Sequence, residues 1–584
     1  MTSSAIPSSS HKQGWGEGLL TFLERSHLRA LTALFVLALI AFVPGISSLQ
    51  PFDRDEPRFA QASKQMLESG DFVDIRFQDE GRHKKPVGIY WLQTAVVSAA
   101  EHLGVSDAQT RIGFYRLPSL AGAITVVLGT YWAALVLLAG VSGVAVRRVA
   151  FLAGAFMAAA ILLGVEARLA KTDAVLTACS LVAMTVLARA YLERGRALPL
   201  TLSIVFWVAV GLSILVKGPL LFMVAGLAIA VLSIRERSMR WLLALRLWWG
   251  LVIVAVITLP WFIAIWVKTG GAFFAESVGK DMLAKARSGQ ERHWGPPGAY
   301  LIAFFGTFWP AAVLTAIAGP AFWRERRIAW VAFCLAWIIP SWLVFEVLPT
   351  KLPHYVLPLY PAIAILTAWA LLNGDIHRNR PLAKVATVLI PLVPIAVTVG
   401  LSIFAFMYDG AVLYPAFPGF ALAIILSLWS WYIFLRNRAV TSALLGIAAS
   451  LVLSVSVFGV AQMLIPSLKL SPRLAAAARS LECAEPRIAT TRYREPSLVF
   501  LTRTDLYLTN GEGAADFLKT GDCRMAFVEK NDEAAFAARL SEIGLAPALM
   551  TRVRGFNING GRLLDIGVYK NTPPAPAAPG TQGQ

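Results

Sequence analysis

The chain has 584 residues, of which 57% are hydrophobic and 15% charged, with a formal net charge of +18 and a mean hydropathy of +0.62. A soluble core cannot absorb that much apolar surface, so lipid must be the solvent for most of the chain. The basic residues fall in short clusters between apolar runs, the pattern of membrane loops facing anionic lipid and not of a nucleic-acid-binding surface.

Residues 1–27 form a polar N-terminal segment carrying His11, Lys12 and Arg25. The apolar run 28–49 is long enough to cross a bilayer, and no Ala-x-Ala-type cleavage site follows it. It reads as a retained first span with its N-terminus inside. Further spans are expected near 117–146, 149–165, 174–192, 198–215, 218–234, 241–267, 299–323, 328–348, 355–372, 385–405, 420–435 and 440–465, thirteen with the first.

The run 86–104 is the ambiguous one, because counting it would reverse the sidedness of every later loop. Leaving it at the surface puts Arg147/Arg148, Arg189/Arg194/Arg196, Arg235/Arg237/Arg240/Arg246, Arg324/Arg326/Arg327, Arg378/Arg380/Lys384 and Arg436/Arg438 on the inner side. The positive-inside rule favours that choice, so 86–104 is expected to be a juxtamembrane or re-entrant helix within a long first outer loop, 50–116.

An odd number of spans places everything after 466 outside. There the sequence predicts helices at 471–481, 516–519 and 532–543, strands at 487–491, 497–502 and 524–529, and a hairpin of 556–558 and 563–569 around Asn559-Gly560-Gly561. This is a small α/β domain over 467–570, followed by a Pro/Ala/Gly-rich tail, 571–584, expected to be disordered. An oxidising compartment would let Cys483 pair with Cys523, whereas Cys179 and Cys334 lie in apolar spans. No Cys/His cluster has zinc spacing, so no structural metal is expected.

The same sidedness gathers the chemically informative residues at the outer face. Asp55 and Glu56 begin an amphipathic stretch just after the first span. Asp55 before Pro57 also suits a plain helix N-cap, but a cap leaves the crowding of Arg54, Asp55, Glu56 and Arg58 in one turn unexplained. Lys84 and Lys85 precede Pro86 at a helix start, where cations oppose the macrodipole unless an anion such as phosphate joins them. Lipid headgroups would also satisfy such a basic patch. Asp173 either closes a helix end by pairing with Arg168 or Lys171 or serves function; Lys351 and Tyr355 suit headgroup and interfacial-belt positions as well as a site.

Arg54-Asp-Glu-Pro-Arg-Phe-Ala60, Lys84-Lys-Pro86 with Tyr90-Trp-Leu-Gln93, Arg116-Leu-Pro-Ser119, Arg168-Leu-Ala-Lys-Thr-Asp173, Lys217-Gly-Pro219 and Lys351-Leu-Pro-His-Tyr-Val-Leu-Pro358 together resemble the bacterial aminoarabinose transferases. These belong, with the protein O-mannosyltransferases, to the C-type (GT-C) membrane glycosyltransferases. The resemblance covers nearly the whole membrane part. It implies a GT-C fold of about thirteen transmembrane helices over 28–466, with juxtamembrane helices in the first periplasmic loop and a small periplasmic C-terminal α/β domain.

The implied reaction is inverting transfer of a sugar from a polyprenyl phosphate, usually undecaprenyl phosphate, to a lipid acceptor such as lipid A at the periplasmic face of the bacterial inner membrane. A protein O-glycosyltransferase, or a transporter or flippase of lipid-linked sugars, remains as the alternative; a transporter would place its charges at the bilayer midplane within internal repeats. By resemblance Asp55, Glu56 and Asp173 are the acidic, catalytic candidates. Lys85, with Lys84, Arg292, Lys351 and Tyr355, is the candidate set for the donor phosphate. The third loop reads Gly289-Gln-Glu-Arg-His-Trp-Gly-Pro-Pro297 and lacks the family's aromatic ending, which weakens Arg292 and His293 as phosphate contacts. The reaction requires no cofactor, and the scattered acids leave a divalent metal open.

Overall fold

A computed structural model describes residues 15–52, 54–282, 295–374, 376, 381–480 and 486–571. It is a helical membrane protein followed by a C-terminal mixed sheet. Among the described residues, nine helices are long and apolar enough to cross a membrane, from Ile112–Leu137 to Ala439–Leu464. Each matches one of the thirteen expected spans, and the other four differ for local reasons. The first is the shorter helix His27–Phe42, bent by 118° against Trp15–Glu24. The second, 149–165, breaks at Ala160, whose backbone is extended between Val146–Ala159 and Ile161–Glu166. Leu220–Glu236 has 17 residues, one and two fewer than Leu200–Lys217 and Ala329–Val347, against which it packs. The fourth, 299–323, divides into Ala299–Thr307 and Ala311–Arg324 ahead of Pro310, which has no amide hydrogen to continue the ladder.

Two helices of the first loop lie over the ends of the spans. Asp55–Ser69 starts with Pro57 in its first turn and ends at Gly70, whose φ of +71° is the left-handed cap geometry glycine permits. Gly88–His102 is the segment expected at the surface; it is not among the candidate spans. Phe59 packs against Tyr90 with ring centroids 5.3 Å apart, and Ser63 Oγ donates to Gln93 Oε1 at 2.6 Å. Gly88 is a close-approach position: a Cβ there would stand 2.8 Å from the Leu215 backbone. That contact brings the turn carrying Lys84 and Lys85 against the C-terminal end of Leu200–Lys217. Between Asp55–Ser69 and Gly88–His102, β1 (Arg76–Phe77) and β2 (Glu80–Gly81) form a short antiparallel ladder.

The C-terminal region contains β3 (Arg487–Thr491), β4 (Tyr507–Thr509), β5 (Arg524–Glu529), β6 (Ala548–Asn557) and β7 (Arg562–Lys570), in the spatial order β4-β3-β5-β7-β6. β3 pairs parallel with β4 and β5, and the hairpin β6–β7 adds antiparallel. The expected strand at 497–502 is instead the helix Pro496–Leu501. Proline at its first position favours a helical start, and Leu498, Val499 and Phe500 bury on successive sides of the turn, whereas a half-exposed strand would alternate. β4 escaped the sequence reading because it is only three residues long and mostly exposed.

This region grips the Asp55–Ser69 helix. Lys64 Nζ donates to the Phe500 carbonyl at 3.4 Å. Thr504 Oγ1 accepts from Gln61 Nε2 and donates to Glu68 Oε2, both at 2.8 Å. Cys523 is disulfide-bonded while Cys179 and Cys334 are free; Cys483, its expected partner, lies outside the described residues, as does the tail 572–584.

Candidate functional site

Asp55 and Glu56 sit in the same helical turn with opposite surroundings. Glu56 is fully buried and its oxygens are saturated: Arg116 Nε donates to Oε1 at 2.7 Å and Arg116 Nη2 to Oε2 at 2.9 Å. The Phe52 and Ala170 amides donate to it at 2.6 and 2.9 Å. Arg116 uses its remaining N–H groups on the carbonyls of Ile46, Leu49 and Gln50, at 2.8, 2.8 and 3.0 Å. A bidentate guanidinium–carboxylate pair with every lone pair and proton satisfied is the arrangement that allows two charges to be buried. It ties the end of the first span, the start of the Asp55 helix and the 167–172 loop to one point.

The Asp55 side chain is 47% exposed, and its cations stand off: Arg82 Nη2 at 3.6 Å and Arg58 Nη1 at 3.9 Å. Partial burial raises its pKa, but Arg82, Lys171, Arg58 and Lys84 outweigh that and hold the carboxyl below its ordinary value. Arg82 itself is buried, its guanidinium over the Phe59 ring at 4.8 Å. Asp55 is thus an ionised carboxylate facing open space within a field of cations.

A second cluster adjoins it. Asp173, at the first turn of Asp173–Leu192, pairs with Lys217, the last residue of Leu200–Lys217. His354 bridges two acids, with Nε2 3.8 Å from Asp173 Oδ1 and Nδ1 3.6 Å from Glu166 Oε1. Lys171 Nζ lies 3.8 Å from that same Glu166 oxygen, and Lys217 Nζ is 5.3 Å from the centroid of the Tyr355 ring. Lys171 acts electrostatically on both Asp55 and Asp173, and so joins the two clusters.

Asp173 therefore pairs with Lys217, and Arg168 serves elsewhere. The buried Arg168 guanidinium donates to the Pro44 carbonyl at 2.7 Å, to those of Gly164 and Ala41, and to Ser454 Oγ at 3.0 Å, so it fastens the helix break. Lys351 is also engaged: its Nζ donates to the Phe345 and Glu346 carbonyls at 2.9 and 2.6 Å and lies 3.7 Å from Glu346 Oε2. That is a lysine closing the C-terminal end of Ala329–Val347, where a cation complements the helix dipole. Tyr355 is brought to the cluster, Lys84 and Lys85 are half-buried, and Lys84 acts electrostatically on Asp55. Arg292 and His293 are outside the described residues.

Lys217 stands in the sequence only as a member of a motif with no role attached, and Lys171 only as a candidate partner of Asp173. His354 had no signal in the sequence, since a lone histidine beside an interfacial tyrosine says nothing until the fold brings Glu166 and Asp173 to it. Glu166, Asp173 and His354 present one ligand atom each within 4.8 Å of one another. Lys171 and Lys217 already neutralise the two carboxylates, so a metal ion there would compete with two ammonium groups.

The long apolar helices, the surface helices of the first loop and this polar centre at the helix ends define a multi-pass membrane protein with the C-type glycosyltransferase fold. The fold is that of two crystal structures of ArnT from Cupriavidus metallidurans. The structure bound to undecaprenyl phosphate superposes with a TM-score of 0.70 at 19% identity, covering 92% of this chain and 97% of that one. The apo structure gives 0.69 at 19% identity, over 93% and 98%. No protein-family model matches the chain. In sequence it is similar to the undecaprenyl phosphate-alpha-4-amino-4-deoxy-L-arabinose arabinosyl transferases of Enterobacter sp. (25% identical over 326 residues) and Pectobacterium carotovorum (24% over 347). Those alignments cover 54% and 58% of the relatives, so the chain spans little more than half the length of the curated relatives it matches.

Proposed function

We propose that the protein is an inverting glycosyltransferase of the bacterial inner membrane. It moves a sugar from a polyprenyl phosphate, undecaprenyl phosphate in the first instance, to a lipid acceptor of the lipid A type on the periplasmic face. The C-terminal sheet region and the polar centre lie on that face and the N-terminus is cytoplasmic. The observation that carries this reading is a half-exposed, ionised Asp55 in the field of Arg82 and Lys171, beside the Asp173–Lys217 pair, at the helix ends. The names of the relatives and the ligand of the Cupriavidus structure support the donor class.

In the reaction the acceptor oxygen forms a bond to the anomeric carbon as the bond from that carbon to the phosphate oxygen breaks. The phosphate leaves as an anion already stabilised by its own charge, so it needs cations more than a proton. Lys85 and Lys84, with Lys217 and Lys171, supply them, and Tyr355 orients Lys217. Lys351 supports this group indirectly by closing the helix before the His354 turn, and Arg292 of the third loop adds a further cation. Asp55 faces the acceptor. With a hydroxyl acceptor it takes the proton; with an ionised lipid phosphate it orients the nucleophile and stabilises positive charge on the sugar ring. Asp173 holds Lys217 and His354 in place, and Glu56 acts through Arg116 by fixing the helix that presents Asp55.

The test is made in proteoliposomes loaded with a polyprenyl-phosphate sugar. Release of free polyprenyl phosphate that depends on added lipid acceptor supports transfer. Passage of intact donor across the bilayer without cleavage would make the protein a flippase instead.

A further inference from the structure

A cavity of about 720 Å³, with none of Asp55, Glu166, Asp173, Lys217 or His354 in its lining, lies between the C-terminal region and the ends of two membrane-part helices. One wall is the segment 46–51, where the first span ends; another is the start of Ile112–Leu137; the third is the helix Leu470–Arg479 and the Leu501–Arg503 corner. Three guanidinium groups line it, Arg111, Arg479 and Arg503, against a single carboxylate, Asp107. Arg503 is held by Asp505 at 2.8 Å. Arg111 and Arg479 are exposed, and their guanidinium groups make no hydrogen bond or ion pair among the described residues. The rest of the lining is largely apolar, with Leu49, Phe114 and Leu117 from the membrane part and Leu501 from the C-terminal region.

We propose that this cavity binds the phosphorylated headgroup of a membrane lipid, as a site separate from the reacting centre. Two unpaired arginines beside a third answer a phosphate, which guanidinium groups grip bidentately. The apolar walls at the level where the first span ends answer the glycerol backbone and the first methylenes of the chains, which a free anion lacks. Partial neutralisation by Asp107 leaves a net positive lining, matched to one phosphate group. The site also touches the catalytic scaffold. Its 46–51 wall is the segment whose Ile46, Leu49 and Gln50 carbonyls receive Arg116, the partner of Glu56. A lipid seated there rests on the latch that sets the Asp55 helix, so its binding and the placement of Asp55 share one wall.

The inference does not depend on the transfer reaction and is tested by binding. The full chain in phosphatidylcholine nanodiscs is titrated calorimetrically with dihexanoyl phosphatidate, dihexanoylglycerol and inorganic phosphate. Phosphatidate is expected to bind saturably, and the double substitution Arg111→Ala/Arg479→Ala to weaken it by roughly tenfold or more, at one charge-assisted contact per guanidinium. Arg111→Lys/Arg479→Lys keeps the charge, controls for folding and is expected to restore part of the affinity. Asp55→Asn is expected to bind as the natural chain does. The proposal is overturned if the alanine pair binds phosphatidate as tightly as the natural chain. Equal affinity for inorganic phosphate, which would make it a free-anion site, or for dihexanoylglycerol, or loss of binding in Asp55→Asn, overturns it as well.

Discussion

Two neighbouring carboxylates divide the polar centre of this protein into a sealed region and an open one. Glu56 is 0% exposed and has a bidentate arginine and two backbone amides. Asp55 is 47% exposed and faces cations no closer than 3.6 Å. The same contrast separates the arginines from the lysines. Arg116 and Arg168 are buried and spend their N–H groups on carbonyls of the first span and the helix break. Lys171 and Lys217 meet acids that other residues share. Charge at a membrane face serves the fold when every donor and acceptor is matched and serves chemistry when geometry leaves room for a substrate to complete the match.

Substitutions in the two regions should separate activity from stability. Asp55→Asn is expected to lower transfer by about 10²–10⁴-fold, the range of a lost base or charge stabiliser, with unfolding temperature little changed. Lys85→Ala should reduce turnover in the same way. Glu56→Gln is expected to do the opposite: removing the charge strands Arg116 in a buried site and costs roughly 3–5 kcal/mol of stability, seen as early thermal unfolding and low folded yield. If Asp55→Asn destabilised the chain more than Glu56→Gln, the division would be wrong. Lys217→Ala should fall between, slowing turnover by about 10–100-fold while Lys171 still acts electrostatically on Asp173.

How much of this was legible follows the range of the interactions. The membrane class, nine of the spans and two of the strands to the residue came from local pattern. Asp55, Lys85 and Asp173 were marked by charge crowded at helix starts. What the pattern missed was pairing at a distance: Glu56 with Arg116, Asp173 with Lys217, Lys351 with the helix end before it, and His354 with anything at all. Such pairs are set by helix packing, including the close approach at Gly88, which no window of sequence contains. The segment 497–502 failed for a different reason: a short apolar run fits strand or helix equally until tertiary packing decides.

Acidity sharpens the comparison further. The folded pKa of Asp55 lies below its unfolded value, so its ionisation stabilises the fold above about pH 4 and that contribution fades as pH falls through the folded value. Between pH 5 and 9 Asp55 should give no limb to the rate profile. A limb near neutrality that vanishes in Asp55→Asn would show a raised pKa and contradict the cation field described above. The smallest effect expected is at the C-terminal grip on the Asp55 helix: Thr504→Val removes two hydrogen bonds, to Gln61 and Glu68, and should cost about 1 kcal/mol in thermal unfolding.

The central claim is that Asp55 works and Glu56 holds. It is tested most directly by acceptor-dependent release of polyprenyl phosphate in proteoliposomes, measured for the natural chain and for Asp55→Asn at matched amounts of folded protein. The account predicts release from the natural chain and about a hundredfold less, or none, from Asp55→Asn. Release within a factor of about two from Asp55→Asn, at unchanged stability, would contradict it.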